Sequence, residues 1–350
     1  MIDKIYLKNF TVFRELDLPV SPGINVVVGD NGTGKTHLLK AAYGVLVAEY
    51  RVSKDDKFGG VLHHGHIHEK LEADFLTKNA DINSLYRKFV KENNIEDASI
   101  RILIGEKDIG ITFSKNGGFN TENWKVEKNN ENGQPVVFIP EKDMLANAPG
   151  LTSLFLEREI HFEEYLIEII QKANLPKLRK LDDNRKQLLT KIEEILEGII
   201  VIENDTFYLE NSYGKFEFTM VATGMRKLGL LWLLIRNGSL GDGATLFWDE
   251  PEANLNPSML EATVEILLEL QRHGVQIFLA THNYVLLKLL ELKQEKTDQL
   301  QFISLSKNSE TNDIEMVRGP HYTDIIPNKI ADAYDKIYDL ELGGMFVGAS

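Results

Sequence analysis

The chain has 350 residues, is 43% hydrophobic and carries a formal charge of −14, which suits one large domain or two ordinary ones with a real core and argues against general coating of nucleic acid, although a local basic face can survive in an acidic chain. It holds no cysteine, so disulfides, thiol catalysis and thiolate zinc sites are excluded. No apolar run approaches the roughly 20 residues that cross a bilayer, and the opening MIDKIYLKNF lacks the apolar centre of a signal peptide, so a cytoplasmic protein with no membrane contact is expected.

Residues 2–8 and 16–20 partly alternate apolar and polar side chains, which predicts two antiparallel strands before Ser21-Pro22-Gly23 breaks the run. Ile24 to Val28 then reads as a buried strand, followed by a glycine-rich turn and a helix-forming stretch from Lys35 through Tyr50. Gly29, Gly34, Lys35 and Thr36 satisfy G-x-x-x-x-G-K-[ST], the phosphate-binding P-loop pattern. Glycines free the turn to curl backbone N–H groups around an anion, so Gly29, Asn31, Gly32, Thr33, Gly34, Lys35, Thr36 and His37 are the expected nucleotide-binding residues. Lys35 would reach the β- and γ-phosphates, the Thr36 hydroxyl would ligate Mg²⁺, and the helix dipole would face the phosphates.

Residues 51–68 are polar and hold His63, His64, His66 and His68; only His64 and His68 have helical spacing and no carboxylate pair completes a ligand set, so a solvated loop is expected and a metal site is the alternative. Leu71 to Val90 reads as helix with Leu71, Phe75, Leu85 and Phe89 inward, SIRILIG and DIGITFSK as a hairpin, and Val136 to Ile139 as a strand closed by Pro140. From Leu151 the pattern turns helical, with Phe162, Tyr165, Leu166, Ile169 and Ile170 on one face and Leu188, Leu189, Ile192, Ile195 and Leu196 on another. Between them Lys172, Lys177, Arg179, Lys180, Arg185, Lys186 and Lys191 face only Asp182 and Asp183, a basic patch suited to phosphates unless it is simply a solvated helix face.

Phe207 to Leu209 and Phe216 to Thr219 return to strand, and VATGMRKLGLLWLLI predicts a turn and a helix apolar on nearly every side, hence buried. ATLFW is a central-strand run ending in Asp249-Glu250-Pro251-Glu252, where Asp249 can hold Mg²⁺ and Glu250 can polarise the attacking water. Asn256 caps a helix that starts with Pro257, and VQIFLA is a second buried strand whose tip carries His282, placed to sense a γ-phosphate. A hairpin over 300–317 and a closing helix follow.

GDNGTGKT, ATGMRK, LFWDEPEANLNP and LATHN, in that order, resemble the ABC-type ATPase heads of the SMC, RecF and overcoming-lysogenisation-defect class, especially short stand-alone prokaryotic ATPases of the AAA grouping. The resemblance implies an α/β P-loop fold with a mixed sheet core, an antiparallel N-terminal β part and a helical lobe. It implies one composite domain: lobe I over 1–150, a helical insertion over 151–212, and the signature helix, Walker B and switch histidine over 213–350. It also implies a homodimer or higher homo-oligomer closed around ATP and Mg²⁺, with Lys35, Glu250 and His282 catalytic, Thr36 and Asp249 on the metal, and Asn254 and Asn256 in the D-loop. The trans-acting signature would be Thr223, Gly224 and Met225; it departs from the family because Ala222 stands where a serine hydroxyl is usual, and Glu141 is the candidate for the family's Q-loop contact.

Long coiled-coil arms and a zinc hook are missing, transporter subunits carry a fuller signature, and the 68 residues after His282 leave no room for a Toprim nuclease domain. The expected role is therefore a switch for a separately encoded effector, such as a nuclease, in anti-phage defence. A DNA clamp acting through Lys177, Arg179, Lys180, Arg185 and Lys186 is the alternative, and an ATP-glued scaffold is a third reading.

Overall fold

The computed structural model describes residues 1–54, 61–77, 81–87, 96–114, 119–120, 124–125, 135–158 and 160–326, with five positions between 333 and 340. Strands β1 (Lys4–Phe10) and β2 (Phe13–Pro19) form the expected antiparallel hairpin and lead into β3 (Ile24–Gly29) and helix α1 (Lys35–Lys54). After β4 (Val61–Leu62) comes α2 (His64–Phe75), then the hairpin β5 (Ala98–Ile104) and β6 (Lys107–Phe113), short strands β7 (Phe119–Asn120) and β8 (Trp124–Lys125), and β9 (Val136–Ile139). The helical segment comprises α3 (Leu151–Arg158), α4 (Glu164–Ala173) and α5 (Asp183–Leu196). The strands β10 (Gly198–Glu203), β11 (Thr206–Asn211) and β12 (Gly214–Glu217) then make a three-stranded antiparallel meander. The remainder is α6 (Thr223–Arg236), β13 (Thr245–Asp249), α7 (Pro257–Arg272), β14 (Gln276–Thr281), α8 (Tyr284–Lys293), β15 (Leu300–Lys307) and β16 (Ile314–Gly319).

Two sheets enclose α1. The main sheet has the order β16-β15-β3-β14-β13-β9, parallel except for β16, and the second is antiparallel with the order β2-β1-β5-β6-β7. A parallel strand covered on both faces needs a nearly unbroken apolar run, and INVVVG, TLFWD and QIFLAT supply it. The buried Gln276 amide joins the sheets by accepting from the Ile2 N–H at 2.7 Å and donating to its carbonyl at 2.8 Å. Register then places Asp249 opposite Ala280 and Thr281 opposite Val28, so the carboxyl ends of β3, β14 and β13 finish level with one another. Ligand sites of open α/β sheets form at that edge.

Three sequence expectations need correction. The stretch 51–68 is not one loop: α1 continues to Lys54 and α2 begins at His64, where His68 pairs with Glu72 at 3.2 Å and, among the described residues, no group of three potential metal ligands forms. The helix expected over 71–90 stops at Phe75, because Leu76 takes a left-handed conformation (φ 46°) that turns its N–H back to the Glu72 carbonyl; Leu85 lies in a separate 3-10 turn, and Phe89 falls outside the described residues. The stretch Gly198–Glu203, expected within the helical insertion, is a strand paired with β11. The closing helix expected after residue 326 falls largely outside the described residues.

A buried ionic network fastens α1 to α2 and α4. Lys70, 2% exposed, contacts Asp74 at 2.6 Å, Glu168 at 2.7 Å and Glu164 at 3.1 Å; Arg51 reaches Glu168 at 2.5 Å and Glu164 at 2.8 Å, and the Tyr43 hydroxyl donates to Glu168 at 2.6 Å. Helix α4 is thereby tied to the P-loop helix.

Candidate ATPase site

The turn after β3 is held open by packing as well as by glycine freedom. Gly34 has φ 93°, and a Cβ there would lie 2.6 Å from Val12 Cγ2 and 2.7 Å from Phe13 Cζ, so any side chain would push the β1–β2 turn off the loop. The first backbone bond of α1 runs from Leu38 N to Gly34 O, which leaves the N–H groups of Lys35, Thr36 and His37 at the helix start for an anion. Thr33 donates its hydroxyl to Asp30 O at 2.9 Å, while Asn31 and Gly32 form the exposed tip. Lys35 is 7% exposed and donates to Gly29 O at 2.7 Å and Asp30 O at 3.2 Å; burial lowers its pKa, with Glu250 the first opposing charge. The ammonium is thus parked on the carbonyls of the loop it would leave for a phosphate. The His37 ring packs edge-on against Phe75 at 5.5 Å, and burial pushes its pKa down to about 4, so it offers a phosphate its backbone rather than a charge.

Asp249, at the end of β13, is 9% exposed and accepts from the Thr36 hydroxyl at 2.8 Å. A hydroxyl and a carboxylate side by side are hard oxygen donors that fit Mg²⁺. Burial raises Asp249 to about 6. Below that pH a proton competes with the metal, so Mg²⁺-dependent ATP binding should weaken as pH falls through about 6 rather than through the ordinary carboxylate range near 4. Titrating nucleotide affinity with and without Mg²⁺ from pH 5 to 8 checks this; a metal-dependent component unchanged down to pH 5 would contradict it.

Glu250 follows in a left-handed conformation (φ 48°), unusual for a side chain of this kind. Two bonds hold it there: its N–H donates to Ala280 O at 2.9 Å, and buried Lys227 from α6 donates to its carbonyl at 3.1 Å. The carboxylate lies 3.1 Å from His282 Nδ1. The carboxyl-end edge of the sheet therefore gathers Lys35, Thr36, Asp249, Glu250 and His282 from the turns that follow three parallel strands.

The residues expected in the signature and the D-loop meet each other beside that edge. Ala222 is the N-cap of α6 and makes no side-chain cap, so the helix start is open; the Thr223 hydroxyl accepts from Arg226 Nη2 at 2.9 Å, and Met225 is partly buried. Gly224 packs so closely that a Cβ would stand 3.0 Å from Asn254 O. Asn254 is left-handed (φ 64°), and Asn256 caps α7 by accepting from Met259 N at 2.9 Å. The charge of Glu141 reaches both Asp249 and Lys227. Sequence reasoning assigned no role to Lys227, Arg226 or Glu252; a lysine leading directly into the apolar run LGLLWLLI was the available signal for the first.

The basic patch is largely consumed internally. Lys177 lies 4.9 Å over the Trp232 ring and donates to Ile200 O, Lys172 lies 5.7 Å over Tyr50, Arg185 and Lys186 pair with Asp182 and Asp183, and Lys191 pairs with Glu265. Arg179 and Lys180 are exposed and have no ion pair among the described residues.

A parallel sheet edge that brings Lys35, Thr36, Asp249, Glu250 and His282 together, flanked by helices on the opposite lobe, has the architecture of a P-loop ATPase head of the ABC, SMC and RecF type. The family profile described as "AAA domain, putative AbiEii toxin, Type IV TA system" matches residues 24–288, and the chain belongs to that family. Curated relatives are the DNA replication and repair proteins RecF of Clostridium botulinum strain Eklund 17B, 26% identical over 64% of this chain and 59% of the relative, and of Listeria welshimeri, 25% identical over 55% of this chain and 45% of the relative. The chain thus matches about half to three fifths of those relatives' length. Among solved structures, an SMC head bound to the C-terminal winged-helix domain of ScpA superposes with a TM-score of 0.57 at 14% identity over 90% of this chain and 98% of that one. The SMC head of Pyrococcus yayanosii gives 0.53 at 11% over 90% and 96%. These likenesses bear out the fold expected from the motifs. No described helix is long and apolar enough to cross a membrane.

Proposed function

We propose that the chain hydrolyses ATP with Mg²⁺, forms a homodimer closed around the nucleotide, and acts as a switch for a separate effector protein, with bacterial anti-phage defence as the setting. The observation that supports this most directly is the pairing of Glu250 with His282 at 3.1 Å beside the Thr36–Asp249 pair. A general base, a γ-phosphate sensor and a metal-binding oxygen pair gathered at one sheet edge are what water attack on a bound triphosphate requires. The open N-terminus of α6 lies on the same protomer and, in a head-to-tail dimer, would serve the partner's nucleotide. Closed and open states then present different surfaces, which is all that a switch needs. The experiment is affinity for the effector, recovered from the same operon, in the presence of ATP, of ADP and of no nucleotide; equal affinity in all three would overturn the switch.

The RecF relatives favour a second reading, an ATP-gated clamp on DNA. With the other basic side chains paired inside the chain, it rests on Arg179 and Lys180. Changing both to glutamate should weaken duplex binding and lower the salt slope by about 1 per lost phosphate contact. Duplex affinity indifferent to that double change and to salt would leave the segment a solvated surface.

A further inference from the structure

Glu252 takes no part in the reaction just described, yet it is the most tightly enclosed carboxylate of the site. Its side chain is 5% exposed. Its Oε1 accepts from the Thr281 hydroxyl at 2.6 Å and from the His282 N–H at 3.4 Å, and lies 4.0 Å from His282 Nδ1. Its other oxygen, Oε2, is buried without a hydrogen-bond partner among the described residues. Enclosing an acid this way costs stability: burial raises its pKa, and a buried oxygen without a donor is disfavoured. Such a cost persists where the group does something that a threonine or an apolar residue would not.

The hydrogen-bond polarity around it is one-directional. Asn283 N–H donates to Thr281 Oγ1 at 2.9 Å, and the Thr281 hydroxyl, its lone pair so occupied, donates its own proton to Glu252. Asn283 in turn caps α8 by accepting from Leu286 N at 3.0 Å. Of the three residues that bring the chain from the end of β14 into α8, one carboxylate therefore holds Thr281 and His282 directly and Asn283 through Thr281. Glu252 itself is two residues from Glu250 and is carried on the same turn, closed by Ala253 N to Glu250 O at 3.1 Å and Leu255 N to Glu252 O at 3.0 Å.

We infer that Glu252 is the positioning residue of this site, a clamp that locks the switch-histidine turn to the Walker B turn so that His282 and Glu250 respond to the γ-phosphate as one unit. This rests on the ATPase reading above. Among the described residues, the exposed imidazole, 53% accessible, would without the clamp keep only its contact with Glu250 as a tie to the Walker B turn. ATP still binds, since no atom of the P-loop touches Glu252 among the described contacts, but the sensor no longer arrives in register.

The test is steady-state ATP hydrolysis by the full chain, with thermal melting as the folding control. Glu252→Leu should lower kcat by about 10- to 100-fold, the range for outer-layer partners of reacting groups, with KM for ATP within about 3-fold of the parent. Glu252→Gln, which keeps an acceptor for Thr281, should restore most of the rate. Combining Glu252→Leu with His282→Ala should be no slower than His282→Ala alone, because the clamp acts only through the histidine. Thr281→Val gives an independent route that leaves Glu252 in place, and the same loss in kcat is expected. Folded Glu252→Leu or Thr281→Val protein turning over at the parent rate, or a double variant whose losses multiply, would overturn the inference while leaving the ATPase reading intact. A parent protein without ATPase activity would overturn that reading and this inference with it.

Discussion

Glu250→Gln is expected to lower ATP turnover by about 10²- to 10⁴-fold, the range for loss of a general base, while ATP binding persists. Glutamine preserves the shape of the side chain, its contact with His282 at 3.1 Å, and the two bonds from the turn to Ala280 and Lys227 that impose φ 48°. What it cannot do is take a proton from water. If closure precedes hydrolysis, the variant should collect in the closed state, and light scattering with ATP and Mg²⁺ should report twice the 39.7 kDa chain mass, falling back when nucleotide is removed. The Lys35→Ala variant should show neither turnover nor the ATP-dependent mass change, because the ammonium that would leave Gly29 O for the phosphates is gone. A Glu250→Gln mass indifferent to nucleotide would point instead to a constitutive assembly, with ATP as glue rather than fuel. It would also bring the missing hydroxyl at Ala222 to the front, since the Thr223 hydroxyl is held by Arg226 and would have to serve in its place.

The reason so much of this site was legible in the chain is that its chemistry is local. Gly34, Lys35 and Thr36 act through one turn, and Asp249 and Glu250 through the end of one strand, so spacing alone carries their meaning. The alignment of the strand ends is a consequence of three apolar runs pairing in parallel, also readable as three central strands. What could not be read are interactions between turns distant in the chain. Glu252 and Thr281 are 29 residues apart, and nothing in either segment announces the bond. The stop of α2 at Leu76 was invisible because a leucine, not a glycine, occupies the left-handed position. Glu168 is another case: a carboxylate in the apolar run EYLIEII looks like a solvent-facing residue, and only the arrival of Lys70, Arg51 and Tyr43 from two other helices makes a buried position tolerable.

That cluster leads to the largest stability effect expected in the molecule. Lys70→Met should destabilise the fold by about 3–5 kcal/mol, the penalty for breaking a buried ion pair by removing one partner. Methionine matches the aliphatic stem of lysine, so little packing is lost; the damage is electrostatic. Lys70 and Arg51 already face three carboxylates, Asp74, Glu164 and Glu168, and among the described residues Asp74 Oδ2 has no hydrogen-bond partner. Two of the acids that share Lys70 respond oppositely: full burial raises Asp74 to about 7, whereas Glu168, also served by Arg51 and the Tyr43 hydroxyl, is held below its ordinary value. For Asp74 the folded protein holds a proton between pH 3.8 and about 7 that the unfolded chain has released, so its contribution to stability falls as pH rises through that window. Asp74→Asn removes that slope and should therefore gain on the parent between pH 6 and pH 8. Lys70→Met should be worst at pH 8, where all three acids are charged, and milder at pH 6. Chemical denaturation of the three proteins at both pH values reads these differences directly, and a Lys70→Met loss below about 1 kcal/mol at pH 8, the scale of a solvent-exposed pair, would show that the network is screened by water rather than sealed.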